Sequence, residues 1–448
     1  MYFKIVPYPL LILIVFLSAC KNGNDNEQKS IRKATIEDVE AGIRRNIAER
    51  VKENDGFFTY QNDSTSLKLK LVRVHTEYLS VLGDNEFFAC VDLATVEGDV
   101  YDVDFFLKGN AENMLITKTD IHKLNGKPFY TWKQAKDKTW HTVAVKDASG
   151  DLLGLIEGED NFTFNYTAFI PELNDSAEIW IPIAASDNFQ KIDILSIDIP
   201  VEYKIVSDGK YNNKILYSKL GSEQSLQQID IKYKVKRKEK SAYADPSMEL
   251  DFFLSSSPLM PVGDRFSLIA EEAIAKSKAD NPLSKARALY DFIIDNMRYA
   301  KQGKYGTGDA NYACDSKSGN CTEFHSLFIS LARSVGIPAR FAIGAAIPSE
   351  RNEGGVNGYH CWAEFYADGK WWPVDISEAN KYSALSTYYF GHHPANRIEF
   401  SRGRDIMPVP GPKTGAISFF AYPVLEENEK RIPVKVKFTF QRESFSEI

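Results

Sequence analysis

Residues 318–330 read "SGNCTEFHSLFIS", and the reading of this stretch decides the fold of the segment around it. Phe324, Leu327, Phe328, Leu331 and Val335 recur at three- and four-residue steps, and Gly336-Ile337-Pro338 ends the run. That spacing predicts a helix with Cys321 in its first turn. A helix N-terminus gathers unpaired N–H groups and partial positive charge, which favour a thiolate. Thiols so placed near a histidine fall to pKa values of roughly 3.5–7.5. A cysteine buried for packing suits the same helix equally well, so the decision passes to whatever faces it.

Downstream, "ARFAIGAAIP" (339–348) reads as a strand, and "GYHCWAEFYADGKWWPVDIS" (358–377) as strand, turn, strand. Asp368-Gly369 is a strong two-residue hairpin signal. With that turn Ala367 faces Lys370, and His360 falls opposite Ser377. Asp375 points to the same face as Ser377. It becomes a diagonal neighbour of His360, about 7–8 Å away between backbones and within side-chain reach. A carboxylate there holds an imidazole in one tautomer and stabilises its charged form. On this register Cys361 points to the other face and is read as core packing rather than as a redox partner.

"GNCTEFHSLFISLARSVGIPARFAIG", "YHCWAEFY" and "KWWPVDIS", in that order, resemble the transglutaminase-like core of papain-type thiol enzymes. The likeness spans about 140 residues, from roughly 260 to 400, and includes Arg333, Gly336, Pro338, Arg340 and Trp362. It implies Cys321 as nucleophile, His360 as general base and acid, and Asp375 as the orienting carboxylate. Trp362, Tyr312 and His325 are candidates for the substrate pocket, with packing as the alternative for Tyr312 and His325. Cys361 stands where the family usually has alanine, and Ser377 where threonine is common. One oxyanion donor is expected from the Cys321 backbone N–H; Tyr312 is the candidate for the second.

The first twenty residues, "MYFKIVPYPLLILIVFLSAC", hold an apolar run from Ile5 to Leu17, short for a membrane span and suited to a signal-peptide core. "LSAC" resembles the bacterial lipobox, which implies cleavage before Cys20 and lipidation of it. Residues 1–19 are then a signal peptide and 20–34 a polar tether. The expected location is the bacterial cell envelope, lipid-anchored on the outer membrane and facing periplasm or surface.

The fold class expected is α+β and multidomain. Residues 35–142 read as a helix followed by a strand meander, a small α+β domain of cystatin or NTF2 type. Its histidines His75 and His122 are read as structural. Residues 143–255 alternate as in "FTFNYTAF" and "IDIKYKVK" and suggest a β-sandwich. The basic stretch "KVKRKEK" (234–240) is read as a solvated strand face plus linker. Residues 256–405 form the transglutaminase-like core. Residues 406–448 are a β extension whose "RIPVKVKFTF" would cap that core.

A net charge of −7 gives no case for nucleic acid. Cysteines at 20, 90, 314, 321 and 361 lack paired ligand spacing, and His392-His393 has no acidic or thiol partner at ligand spacing. No metal and no other cofactor is therefore expected. A disulfide involving Cys314 stays open, as does the oligomeric state. The expected function is thioester-mediated acyl transfer on amide or peptide bonds of a peptide or protein substrate, hydrolytic rather than cross-linking. The competing expectation is a non-catalytic surface lipoprotein that binds peptide or glycan.

Overall fold

The computed structural model describes residues 34–442 apart from 62–65, 77–78, 84, 135–139, 145–154, 246–248, 302, 350 and 382–384. The expected signal peptide, Cys20 and most of the tether lie outside the described residues. Among the described residues, no helix is long and apolar enough to cross a membrane. The architecture is α+β and multidomain.

Helix α1 (Ile36–Glu53) begins at Thr35, whose hydroxyl accepts from the Asp38 N–H while the Asp38 carboxylate accepts from the Thr35 N–H. This reciprocal cap satisfies two otherwise orphaned donors. Its stripe of Val39, Ile43 and Ile47 is buried against Phe58, Leu69, Val91, Leu93, Val103 and Phe105 of an antiparallel sheet. The long strands of that sheet are Ser66–Val74, Glu86–Ala94, Val100–Gly109 and Met114–Leu124.

The sandwich follows from strict alternation. Ile229, Ile231, Tyr233 and Val235 are all buried, facing the other sheet, while Lys232, Lys234 and Lys236 are exposed. One sheet runs Gln190–Asp198, Gln228–Lys238, Glu159–Phe169, Lys435–Arg442, Glu353–Val356; the other runs Tyr203–Ser207, Lys214–Leu220, Ala177–Ile183, Val424–Glu427, Lys430–Ile432. The tail is β-rich as its alternation predicts, but it does not simply cap the core. Strand Lys435–Arg442 lies beside Glu159–Phe169, placing Phe438 opposite Tyr166, so the C-terminal residues complete the sandwich.

The basic stretch 234–240 also departs from expectation. Lys234, Lys236 and Lys238 are solvated, but Arg237 and Lys240 are fully buried. Alternation carries Arg237 inward, and Lys240 crosses to the next unit, where its ammonium lies 2.8 Å from Glu364 and 3.4 Å from Glu399. The sandwich and the unit after it thus share one continuous apolar core and a buried ion network.

In that unit α2 (Asp264–Lys276) and α3 (Pro282–Asn296) precede α4 (Ala310–Ser316) and α5 (Cys321–Ser334). A four-stranded antiparallel sheet follows in the order Lys370–Val374, His360–Ala367, Ala339–Ala346, Arg397–Arg402. The hairpin register is the expected one, from Ala367 opposite Lys370 to Ala363 opposite Val374. Asp368 and Gly369 take φ values of 52° and 80°, the left-handed pair of a type I′ turn.

Gly344 sits opposite His360, and a Cβ there would run into the backbone carbonyl of Ile398 on the neighbouring strand. Gly344→Ala should therefore destabilise the chain by about 1–3 kcal/mol, read as a lower midpoint in urea unfolding.

Candidate active site

The first turn of α5 is fastened before any chemistry is considered. Asn320 caps it, its side-chain oxygen accepting from the Thr322 N–H at 2.8 Å. Glu323 returns the bond, accepting from the Asn320 N–H at 3.0 Å. Its second oxygen accepts from the N–H groups of Gly306 at 2.9 Å and Gly308 at 2.7 Å. One buried carboxylate therefore pins the Gly306–Gly308 stretch before α4 to the start of α5. A capping box, Asn-x-x-Glu, was the signal in the sequence that could have found it.

Cys321, His360 and Asp375 come together there. His360 Nε2 lies 2.6 Å from Asp375 Oδ2, which leaves Nδ1 as the nitrogen for the thiol hydrogen bonded to it. Burial opposes charge on His360, but the Asp375 carboxylate and the Cys321 thiolate push its pKa up to about 9. Burial also opposes ionisation of Cys321. Hydrogen bonds from Cys361 and His360, with the charge of His360, nevertheless hold its thiol well below the ordinary range. Asp375 is held well below the usual carboxylate range, His360 outweighing the cost of its burial. Both shifts favour the thiolate–imidazolium form of the pair.

The route by which Asp375 arrives differs from the expected one. The ladder stops at Val374, and Ser377 lies in a helix rather than opposite His360. Asp375 joins that strand to α6 (Ile376–Lys381), its Oδ1 accepting from Ser377 Oγ at 3.0 Å and the Glu378 N–H at 3.1 Å. Asp375 meets His360 as a helix cap at a strand end, not as a diagonal partner within a sheet.

His325 is fully buried and does not line an open pocket. The Ile376 N–H donates to its Nε2 at 3.0 Å, so Nδ1 carries the proton and donates to the Cys321 carbonyl at 2.7 Å. Burial lowers its pKa and keeps it neutral. This imidazole ties the first turn of α5 to the first turn of α6. Trp362 is also fully buried, its ring 4.2 Å from that of His393 between centroids. His393 Nε2 is 4.0 Å from Asp375 Oδ2. Burial, then the charge of Arg397, holds His393 well below the usual imidazole range. Tyr312 is engaged elsewhere, its hydroxyl accepting from the Lys304 N–H at 3.2 Å in the approach loop.

Cys361 packs in the core as expected and also reaches the site. It is fully buried, yet its Sγ lies 3.7 Å from His325 Nδ1 and its thiol is hydrogen bonded to Cys321. The strand face it occupies is the one α5 packs on, and the first turn of α5 lies over the strand start. Core packing and contact with Cys321 are therefore the same position. Cys90, Cys314, Cys321 and Cys361 are all free thiols.

Three tyrosines near Cys321 were not read from the sequence. Tyr359 accepts from Asn320 Nδ2 at 3.0 Å, and its own N–H donates to the Tyr422 hydroxyl at 3.2 Å. Burial, then the charge of Cys321, raises the Tyr359 and Tyr299 hydroxyls above their ordinary values, the latter to about 12. All three rings are half-buried. Tyr422 also lines a cavity of about 390 Å³ together with Arg351, Asn357, Gly358 and Phe438. Cys321 itself keeps 3% of its surface and His360 6%.

Residues 270–376, which hold all three grouped side chains, match the model of the transglutaminase-like superfamily. Over this segment, about a quarter of its length, the chain is similar to the transglutaminase-like core. An uncharacterized protein of Haemophilus influenzae is 24% identical over 317 residues, 59% of this chain and 85% of that one. A solved structure of a proposed cysteine protease from Cytophaga hutchinsonii aligns with 64% of this chain and 98% of its own, at 16% identity and a TM-score of 0.41. A proposed protease from Parabacteroides distasonis aligns with 75% of this chain and 68% of its own, at 12% identity and a TM-score of 0.22.

Because His360 is raised from 6.5 to about 9, the stability it contributes is present in full below about 6.5 and is lost as pH rises toward 9. Asp375→Asn should lower the imidazole pKa in an NMR titration and flatten that pH dependence in urea unfolding.

Proposed function

We propose that this chain is a thiol acyl-transfer enzyme acting on amide or peptide bonds, with hydrolysis as its outcome. The observation that carries the reading is the 2.6 Å bond between His360 and Asp375 beside a cysteine at a helix N-terminus. The Cys321 thiolate attacks the substrate carbonyl, and the Cys321 backbone N–H donates to the developing oxyanion. His360 passes its proton to the departing amine, leaving a thioester on Cys321. A water deprotonated by His360 then releases the acid and frees the thiol. Asp375 keeps the imidazole in the tautomer both steps need. The tyrosine rim and the cavity beside it supply an apolar, hydrogen-bonding wall for a peptide.

Cys321→Ala should abolish labelling by a thiol-directed acyl probe, and His360→Ala should lower kcat/KM by about 10²–10⁴ on a cleavable peptide. Undiminished probe labelling in the Cys321 variant would sink the proposal. Substrate class would follow from comparing cleavage of a mixed peptide library by the two proteins.

The low exposure of Cys321 favours one second reading, a non-catalytic scaffold that binds peptide or glycan. In that case the folded wild type takes no acyl probe, while ligand binding is equal in the Cys321 variant.

We also propose that the chain is tethered to a bacterial membrane through lipid on Cys20, on the strength of the "LSAC" pattern and the polar stretch after it. Cys20→Ala should lose incorporation of radiolabelled palmitate and leave the membrane fraction. Retention of label in that variant removes the anchor.

A further inference from the structure

A second group of reactive side chains lies far along the chain from the acyl-transfer site, on the first sheet. Strands Glu86–Ala94 and Val100–Gly109 pair with Cys90 opposite Asp104 and Asp92 opposite Asp102. Alternation puts Val91, Leu93, Val103 and Phe105 into the core under α1. It puts Cys90, Asp92, Asp102 and Asp104 on the other face, where all four are buried. His75 follows strand Ser66–Val74 and joins them, its N–H donating to the Cys90 carbonyl at 3.0 Å. That face is closed by the transglutaminase-like core: Arg287 of α3 lies 2.8 Å from Asp92 Oδ2, and Thr387 Oγ1 lies 3.5 Å from Asp102 Oδ1.

The ligand atoms of His75, Cys90 and Asp102 lie within 4.8 Å of one another. We propose that these three residues bind a divalent transition metal, zinc by the chemistry of the donors, within the first sheet on the face that the transglutaminase-like core covers. A thiolate, an imidazole and a carboxylate form a donor set of the kind zinc takes, and a hard cation such as magnesium does not.

The surroundings carry the features such a site needs. Asp92 Oδ1 lies 2.8 Å from His75 Nε2, so a carboxylate orients the ring and leaves Nδ1 as the ligand. Asp102 Oδ2 accepts from Lys123 Nζ at 2.5 Å, its Oδ1 has the long contact from Thr387 Oγ1, and the carboxylate is also hydrogen bonded to Asp92. A fourth position falls to water or to Asp104, directly across the ladder from Cys90.

Charge points the same way. Three buried carboxylates, Asp92, Asp102 and Asp104, face two side-chain cations, Lys123 and Arg287, and Arg287 is shared with Asp291 at 2.9 Å. Binding replaces the Cys90 proton by the ion and releases that proton to solvent.

The test uses the full chain, stripped with a chelator and titrated with cobalt(II). A thiolate-to-cobalt charge-transfer band should grow to one equivalent and be displaced by zinc. Cys90→Ser should remove the band, and the double variant Cys321→Ala with Cys361→Ala should retain it. Asp92→Asn should weaken zinc binding about 10–100-fold. No band in the wild-type chain overturns the proposal, as does a band that persists in Cys90→Ser and vanishes in the double variant. Should Cys90→Ser fail to fold by circular dichroism, His75→Gln is read in its place, and the wild-type titration stands without either.

Discussion

The carboxylate of Asp375 is fully buried, and the organisation around Cys321 depends on its staying ionised. An uncompensated buried charge costs several kcal/mol, so it persists only where donors close on it. Here the His360 imidazole, the Ser377 hydroxyl and the Glu378 N–H all donate to it. Those donors come from the start of one strand and the first turn of α6. One anion thus sets where the hairpin ends, where a helix begins and which way the His360 ring faces. His325 extends the constraint to α5 by bonding both Ile376 and Cys321 through the backbone. Thiolate, imidazolium and carboxylate are held by elements that could not shift independently.

The residues that carry the family likeness divide into two roles. Arg333 donates through Nε and Nη2 to the Ala339 carbonyl, at 3.0 and 2.7 Å, and so closes the end of α5 onto the next strand. Arg340 donates to Glu364 at 2.7 Å, and Lys240 from the sandwich approaches the same carboxylate at 2.8 Å. The conspicuous arginines of "RSVGIPAR" therefore hold the scaffold and join it to the preceding domain. The chemistry rests on Cys321, His360 and Asp375, in the reading proposed above.

Local signals were legible where one residue's neighbours along the chain determine its environment. The α5 stripe, the cap and proline opening α3, the type I′ turn at Asp368-Gly369 and the sandwich alternation follow from periodicity and backbone preference. The hairpin register also followed, because a two-residue turn leaves little freedom in pairing. Extending that register past Val374 failed: alternation has no means of saying that Asp375 will cap a helix. The core packing of Cys361 was legible but its contact with Cys321 was not, since the strand pattern shows two faces but not which of them meets the first turn of α5. The tyrosine rim needs Tyr299, Tyr359 and Tyr422, which are 123 residues apart at their extremes, so no local pattern could join them.

By itself the sequence determined the α+β class, the helix that opens on Cys321, the hairpin that follows and the order of Cys, His and Asp. These rest on spacing, capping and turn chemistry, which act over a few residues. Tertiary structure decided that Asp375 reaches His360 from a helix cap, that Cys361 touches Cys321, and that the C-terminal strands finish the sandwich. It also decided that Arg237 and Lys240 are buried and that His75, Cys90 and Asp102 meet. Each of these is a contact between distant segments, set by how buried charge and apolar faces are satisfied together, and periodicity along one segment carries no information about it.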